Sequence, residues 1–406
     1  MLLLQPPLKD SPKCRVELHV HLDGAVRHET IWEVMRHKGL QLPGMGSLAE
    51  LKEALRVQEP SNLHSFLEPV QLYLPALRGD LAVMERISYE FVGDQAMQSV
   101  VYCEVRFAPH LLLDPEPVAG MEENGIEGKK TAVTADQILE AVLKGLVRGE
   151  EEFGTKARVI LCCIRGLEDI AWDVLRLCEE YRDKGVVGID VAGFEGVPDK
   201  LQAANEVYRA VFAAAREKGI HRTVHAGECE GPDSVKEAVE MLGAERIGHG
   251  YRVIEDEEVY QMCLREDIHF EVCPHSSYLT GTVKSLTTES KRHPVLRFTE
   301  DGASYSINTD DPSLTHSKLR DEYHLLSSWG FNEASLARAN FQAALHSFLP
   351  LDEKKTLLDQ LKVAYGVVEY SIPQNSTTPS PSPSSSSSTP QPLKPSVTFG
   401  TWAERA

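Results

Sequence analysis

Imidazole and carboxylate groups recur at the ends of four short apolar segments of the chain. They are His19 and His21, His225, His249, and the adjacent pair Asp310 and Asp311. Each motif alone has an ordinary explanation, because histidines occur in cores and glycine turns, and aspartate before proline begins helices. Imidazole nitrogen and carboxylate oxygen together are ligands that suit zinc. If the four segments converge, they predict a metal site.

The candidate ligands leave a coordination position open. They are His19, His21, His225 and Asp310. An open coordination position indicates a catalytic zinc site, in which the metal lowers the pKa of a bound water to about 7. The remaining groups suit hydrolysis: Glu228 to donate a proton to the substrate, and His249 with Asp311 to orient and deprotonate the water.

The segments that carry these groups have the composition of β-strands, and stretches with helical spacing separate them. The candidate strands are 15–20, 100–107, 157–164, 186–191, 221–225, 246–249, 268–273 and 303–308. Thr134 and Gln137 form a capping box before one such helix. Eight strands alternating with helices predict an α/β fold, a parallel (β/α)₈ TIM barrel whose site lies at the carboxyl ends of the strands. A doubly wound open sheet is the alternative.

The connection after the first strand is far longer than a crossover needs. It carries apolar side chains at helical spacing, which are Leu63, Phe66, Leu67 and Val70. We expect extra helices that cover the barrel mouth. These four side chains are either ordinary core contacts, the favoured interpretation, or an apolar lid over the site.

Composition limits the classes of function. The net charge is −19, which excludes binding to nucleic acid through its phosphates. No run of about 18 apolar residues occurs, so we expect no membrane insertion and a cytoplasmic protein. The eight cysteines have no CxxC spacing, which favours reduced thiols. Ser, Thr and Pro dominate the end of the chain, which predicts a catalytic domain over 13–370 and a disordered tail over 371–406.

Five segments together resemble the motifs of the adenosine deaminase family, one of the metal-dependent barrel hydrolases. They are 16–24, 223–228, 247–251, 273–281 and 308–312. They follow the family's order and span most of the predicted domain, so the set is far more specific than any single HxH motif. The cytidine-type zinc deaminases are excluded, since Cys273-Pro274 lacks the second cysteine of their signature.

The resemblance implies hydrolytic deamination of adenosine and 2′-deoxyadenosine to inosine and 2′-deoxyinosine, with release of ammonia, in purine metabolism and salvage. It implies that a zinc-activated hydroxide adds to purine C6. One zinc per subunit is expected, because the fourth strand ends without the lysine that bridges two metals in related barrels. The matching positions give the zinc ligands His19, His21, His225 and Asp310.

The matching positions also give the substrate contacts that the resemblance implies. Glu228 would protonate purine N1, His249 would orient the attacking hydroxide, and Asp311 would contact both that hydroxide and purine N7. The other implied contacts are Asp23 and His21 at the ribose hydroxyl end and the Gly193 amide at N3. The expected partner is a purine nucleoside. The resemblance further implies a monomer, with a cell-surface protein partner that holds a pool at the outer surface.

Two rival functions stay open. A sister deaminase acting on adenine or N6-methyl-AMP shares the zinc residues, although Asp23 would repel a phosphate and Arg27 is the one cation nearby in sequence. A binding or signalling relative without turnover is the other. The sequence departs from the family at Val70, where an aromatic residue is usual, and at His275, where a tryptophan is usual. Glu17 should face the barrel interior, so we expect a buried partner for it.

Overall fold

Eight parallel strands pair in chain order in the computed structural model and curl into a barrel. The strands are β1 (Arg15–His21), β2 (Val100–Phe107), β3 (Lys156–Ile164), β4 (Val186–Ala192), β5 (His221–Ala226), β6 (Arg246–His249), β7 (His269–Val272) and β8 (Ser304–Ile307). No strand end differs from its predicted position by more than one residue. A bridge between Val20 and Asp310 joins the first strand to the segment after the last. The TIM barrel is therefore confirmed, and the open sheet is wrong.

The structure describes residues 14–114, 132–194, 201–284, 286 and 292–366. The predicted tail 371–406 lies outside the described residues, as do residues 13 and 367–370 at the edges of the predicted domain. The division into domain and tail stays a prediction.

Helices surround the barrel, and five of them lie in the long connection between β1 and β2. These five are α1 (His28–His37), α2 (Leu48–Leu55), α3 (Leu63–Leu67), α4 (Val70–Leu77) and α5 (Leu81–Met97). The others are α6 (Ala135–Phe153), α7 (Ala171–Glu180), α8 (Leu201–Glu217), α9 (Pro232–Glu240), α10 (Glu257–Arg265), α11 (Pro274–Leu279), α12 (Pro294–Asp301), α13 (Pro312–Thr315), α14 (Leu319–Ser328), α15 (Glu333–His346) and α16 (Leu351–Tyr365). Among the described residues, no helix is both long enough and apolar enough to cross a membrane.

The predicted capping box begins α6. The Thr134 hydroxyl accepts a hydrogen bond from the Gln137 backbone N–H, and the Gln137 side chain accepts one from the Thr134 N–H. Gly154 ends the helix with φ of 79°, a left-handed conformation that glycine adopts without steric cost. Local capping chemistry thus fixes both ends of a helix that packs its apolar face on the barrel.

The connection between β1 and β2 reaches across the carboxyl ends of the strands, which we call the upper end of the barrel. The Val57 N–H donates to the Leu314 carbonyl after β8, and the Ser61 N–H donates to the Leu279 carbonyl after β7. The Tyr73 hydroxyl donates to the Asp23 carbonyl just after β1. The extra helices therefore cover the barrel mouth, as the length of the connection predicted.

Charged side chains fill much of the barrel interior, where branched apolar residues are usual. Arg106 of β2 contacts both Asp190 of β4 and Glu271 of β7, and all three side chains are fully buried. Because these strands are not neighbours, the three side chains meet across the inside of the barrel. Helices α15 and α5 pack on β1 and β2, which explains why these two strands are buried along nearly their whole length.

Candidate metal centre and active site

Four buried side chains from four strand ends converge at the upper end of the barrel. They are His19, His225, His249 and Asp310, and one nitrogen or oxygen of each lies within 4.8 Å of the others. His21 joins them, since its Nε2 lies 3.2 Å from Nε2 of His225 and 3.4 Å from Oδ1 of Asp310. We call these five residues the upper cluster. The structure thus brings together every predicted metal ligand and adds His249 beside them.

Carboxylates behind the cluster fix the tautomers of two of its imidazoles. Nδ1 of His19 lies 2.7 Å from Glu271, and Nδ1 of His225 lies 2.9 Å from Asp190. A carboxylate can only accept, so each Nδ1 carries a proton, and in the neutral ring Nε2 presents a lone pair to the cluster. Arg106 donates to both carboxylates, at 2.9 Å to Asp190 and 2.7 Å to Glu271.

Arg106 also keeps these two carboxylates charged. Burial alone would raise the pKa of Glu271, but the guanidinium groups of Arg106 and Arg246 hold that pKa well below its usual value. The pKa of Asp190 is likewise lowered, because His225 and Arg106 outweigh the effect of burial. Both carboxylates therefore remain acceptors for the imidazole N–H groups at neutral pH.

The donor atoms of the cluster fit a cation. Nε2 of His19 is buried without a hydrogen-bond partner among the described residues, and Oδ1 of Asp310 lies 3.2 Å from it. Lone pairs of His19 and His225 and a carboxylate oxygen thus face one small space, where they repel one another unless a positive charge lies between them. Nitrogen and oxygen donors in this number are the ligand set of a catalytic zinc site.

The other two imidazoles stay neutral. Burial lowers the pKa of His21 to about 3, although the charge of Asp310 opposes the shift. Burial also lowers the pKa of His249 well below its usual value, and Asp310 again opposes the shift. Neutral imidazoles have a lone pair to offer, so both residues are suited to bind a metal or to accept a proton.

The two adjacent aspartates differ in charge. His19 and the neighbouring histidines hold the pKa of Asp310 well below its usual value despite its burial. Burial and the negative charges of Asp310 and Asp23 raise the pKa of Asp311 well above its usual value. The Ser276 hydroxyl donates to Oδ2 of Asp310 at 2.6 Å. One carboxylate is thus fixed as an anion beside another that readily holds a proton.

Backbone strain accompanies the site. His249 and Asp310 both have φ of 65°, a left-handed conformation that residues other than glycine rarely adopt. This conformation turns each side chain back over the end of its strand. The surrounding hydrogen bonds, including the one from the His21 N–H to the Asp310 carbonyl, hold the chain in this shape.

Two glycines leave the space that the site needs. A Cβ at Gly24 would lie 1.7 Å from Oδ1 of Asp311, and a Cβ at Gly248 would lie 2.9 Å from Cε1 of His19. Any larger residue at either position would displace a site side chain. Gly248, which directly precedes His249, thus allows the close approach of an imidazole of the upper cluster.

The remaining predicted site residues surround the upper cluster. Glu228 is buried, with its Oε2 3.6 Å from Nε2 of His249. Asp23 lies at the mouth, where burial raises its pKa to about 6. Gly193 follows β4 with φ of 91°, and Arg165 donates to its carbonyl and to that of His225, which ties this turn to the end of β5.

The four candidate lid residues are divided between two environments. Leu63 and Phe66 are buried in the main hydrophobic core, whereas Leu67 and Val70 are partly exposed and pack against it. The core contacts that the sequence favoured are therefore present at the first two positions. A lid role stays a prediction for the other two.

Comparisons with known proteins agree with this geometry. The family model described as adenosine deaminase matches residues 12–364. Adenosine deaminase of Gallus gallus is 44% identical over 357 residues, which cover 87% of this chain and 96% of the relative. The chain belongs to the adenosine deaminase family. It is therefore a hydrolase of that family, as its motifs predicted.

Solved structures with the same fold include more distant deaminases. Adenine deaminase of Arthrobacter aurescens has a TM-score of 0.72 at 24% identity, covering 87% of this chain and 98% of that one. The Arabidopsis N6-mAMP deaminase has a TM-score of 0.70 at 23% identity, covering 86% and 98%. These likenesses support the barrel fold of the adenosine deaminase family.

Sequence reasoning missed the residues behind the ligands of this family member. Arg106, Asp190, Glu271 and Ser276 had no assigned role. The available signal was a charged residue inside an apolar strand, such as Glu271 between Phe270 and Val272. Such a residue must find a partner inside the barrel.

Proposed function

We propose that this enzyme hydrolytically deaminates adenosine and 2′-deoxyadenosine to inosine and 2′-deoxyinosine, with one zinc ion held in the upper cluster. The observation that carries this proposal is the convergence of imidazole lone pairs and an ionised carboxylate on one buried space, within the adenosine deaminase family. The 44% identity to the Gallus gallus adenosine deaminase supports the choice of substrate.

The zinc would be held by His19, His21, His225 and Asp310. A zinc ion there supplies a Lewis acid that lowers the pKa of water to about 7. Asp190 and Glu271 keep Nε2 of His225 and of His19 free of protons, so that both nitrogens can bind metal. Ser276 donates to one oxygen of Asp310, which leaves the other for the metal.

The acid and base roles go to the three groups beside the cluster. Asp311 is suited to take a proton from water, because its raised pKa lets it hold that proton at neutral pH. His249 stays neutral and orients the same water through a ring nitrogen. Glu228 donates a proton to purine N1, which makes C6 more electrophilic. The amino group leaves as ammonia with the proton that Asp311 took from water, and the proton of the added hydroxyl restores Glu228.

Substrate contacts at the mouth favour a nucleoside over a nucleotide. Asp23 would accept a hydrogen bond from a ribose hydroxyl with His21 nearby, and its charge would repel a phosphate. Arg27, the candidate phosphate ligand, is already paired with both oxygens of Asp94 at 2.8 and 2.9 Å. The Gly193 amide would reach purine N3 from the turn after β4. These contacts disfavour the sister reactions on N6-methyl-AMP and adenine.

A partly exposed apolar surface covers the ribose side of the proposed substrate. Leu67 and Val70 lie on the helices of the long connection, next to the buried Phe66. We propose that this surface excludes water from the bound nucleoside. With valine in place of the family's usual aromatic residue, the contact to the ribose is smaller.

We further propose a cytoplasmic monomer, with a cell-surface protein partner for a pool outside the cell. All eight cysteines are free thiols, and seven of them are buried. Free buried thiols suit a reducing compartment. Gel filtration and fractionation of cells that express the protein test the oligomeric state and the compartment.

The direct test follows the loss of adenosine absorbance in purified protein, beside AMP and adenine, before and after a zinc chelator. Turnover of adenosine and 2′-deoxyadenosine alone, abolished by the chelator and restored by zinc, is expected. Turnover only of AMP or adenine would move the enzyme to a sister reaction. No turnover in zinc-loaded protein would favour a binding or signalling role.

A further inference from the structure

The barrel closes between β1 and the segment after β8 in an unusual way. Neighbouring strands pair through backbone ladders from β1 to β8, but the described residues show only the Val20 to Asp310 bridge between the last strand and the first. Backbone hydrogen bonds there run from His21 N–H to the Asp310 carbonyl and from Asp310 N–H to the His19 carbonyl. We call this junction the seam.

Side-chain amides occupy the rest of the seam. Oδ1 of Asn308 accepts hydrogen bonds from the Leu18 N–H at 2.8 Å and from the His19 N–H at 3.1 Å. Oδ1 of Asn340, from α15, accepts the Val16 N–H at 2.9 Å. In a regular parallel pair, backbone carbonyls of β8 would accept these donors. Side chains therefore set the distance between the two strands.

Glu17 holds the other side of the seam. Its Oε1 accepts from the Thr309 N–H at 2.8 Å and from the Thr309 hydroxyl at 2.7 Å. Its Oε2 accepts from Nε2 of Gln95 at 2.6 Å, which ties α5 to the same point. These contacts confirm the prediction that Glu17 has a buried partner. They also hold Thr309, the residue directly before Asp310, in place.

The seam lies between the two parts of the proposed metal site. Two of the proposed ligands, His19 and His21, come from β1, and Asp310 follows β8. Asn308 holds the His19 backbone directly, and Glu17 holds the residue before Asp310. A shift of the strands along the seam would separate the ligands by the same amount. Metal sites lose affinity when their ligands lose support.

We propose that Glu17 and Asn308 are positioning residues, which hold Asp310 at the distance from His19 and His21 that metal binding requires. This inference deepens the proposed function and rests on the metal site described there. Neither residue touches the metal or the substrate. Their role is to replace the missing β1 to β8 ladder by side-chain hydrogen bonds at the level of the ligands.

A pair of substitutions at Glu17 tests the proposal. Glu17→Leu removes the acceptor for three buried donors, whereas Glu17→Gln keeps an amide oxygen for Thr309. In the glutamine variant, the Gln95 amide can turn so that its Oε1, which has no partner among the described residues, accepts the new N–H. We expect Glu17→Leu to lower zinc affinity about tenfold or more and Glu17→Gln to retain it within about twofold. Competition with a chromophoric chelator measures the affinity.

The visible spectrum of cobalt-loaded protein gives a second readout, because it reports ligand geometry and not overall stability. Glu17→Leu should change this spectrum, and Glu17→Gln should preserve it. Asn340→Leu is the matched control, since it removes an amide from the same seam at the Val16 level. It should lower the melting temperature and leave zinc affinity and the cobalt spectrum unchanged.

Unchanged zinc affinity in Glu17→Leu would overturn the proposal, as would an equal loss in Asn340→Leu. If Glu17→Leu does not fold, Thr309→Val tests the proposal instead. It removes the hydroxyl bond and keeps the backbone bond from residue 309 to Glu17. A loss of zinc affinity in Thr309→Val without a matching loss in Asn340→Leu supports the proposal, and no loss overturns it. Wild-type protein that binds zinc but leaves adenosine unchanged would refute the proposed reaction alone.

Discussion

The two ends of the barrel interior bury similar groups in different ways. At the lower end, where the strands begin, Arg246 contacts Glu271 at 2.7 Å and Glu104 at 2.6 Å. Glu104 also accepts from the Tyr102 hydroxyl at 2.7 Å and from the Phe348 N–H at 2.5 Å. At the upper end, imidazole nitrogens and the Asp310 carboxylate converge on one small space.

This difference shows what distinguishes a site from a structural network. Burial of charge is common to both ends, so it does not mark function alone. Only the upper end combines converging lone pairs, left-handed backbone at His249 and Asp310, and neighbouring aspartates with opposite pKa shifts. Charges of the lower end are paired with one another, whereas the upper end gathers donor atoms that suit a cation.

The largest expected effect comes from Glu228, the proposed proton donor at the upper end. Glu228→Gln keeps the shape of the side chain but cannot give a proton to purine N1, so we expect kcat for adenosine to fall about 10³-fold. Zinc content and binding of a purine ligand should be unchanged. Steady-state kinetics measure kcat, and metal analysis measures the zinc content. Glu240→Gln, on the exposed face of α9, is the control, and normal turnover in Glu228→Gln would refute the acid role.

The next largest effect is expected when the His225 imidazole loses the carboxylate that accepts its Nδ1 proton. Asp190→Asn replaces an acceptor of the His225 Nδ1 proton by an amide that can also donate, so the tautomer is no longer fixed. We expect zinc affinity to fall about 10- to 100-fold, measured by chelator competition. Glu245→Gln is the matched control, because Glu245 contacts Nδ1 of His221 at the opposite end of the same strand. Equal losses in both variants would contradict the distinction between the two ends.

A substitution at the lower end should affect stability alone. Glu104→Gln forces an N–H toward either Arg246 or the Phe348 N–H, so one buried donor loses its acceptor. We expect a loss of about 1 to 3 kcal/mol in the free energy of unfolding, measured by denaturant titration. The kcat and zinc content of the folded protein should match wild type. A variant with normal stability but reduced kcat would show that the lower end belongs to the site.

The smallest effect is a pH dependence from the lower end. Burial lowers the pKa of His269 well below its usual value, so the folded protein keeps it neutral. Below about pH 6.5 the unfolded chain binds a proton there that the folded chain does not, and stability falls by up to about 1.4 kcal/mol per pH unit. His269→Asn should flatten unfolding free energy between pH 6.5 and 5. His64→Asn, at an exposed position, is the control, and an unchanged slope in His269→Asn would contradict this account.

The sequence predicted the barrel and the chemistry of its upper end for separate reasons. Apolar strands that end in polar residues are local patterns, and they gave strand ends within one residue of those observed. His19, His21, His225 and Asp310 were predicted because each lies at the end of such a strand or just after it. Their convergence required only the rule that parallel strands end at one face of a barrel.

The contacts that hold the site residues in place could not be predicted from local sequence patterns. The contacts of Arg106 with Asp190 and Glu271 join strands that are not neighbours, so no local pattern records them. The seam bonds of Asn308 and Glu17 depend on how the last strand meets the first. Left-handed backbone at His249 and Asp310 is imposed by surrounding contacts and has no propensity signal, since neither residue is glycine.

We propose that the upper cluster is a site for one catalytic metal ion. Metal-stripped protein titrated with zinc, with the rate of adenosine deamination measured at each addition, tests it most directly. We expect the rate to rise from near zero in proportion to added zinc and to level off at one equivalent per chain. Full activity without metal, or a rise that continues to two equivalents, would contradict the claim.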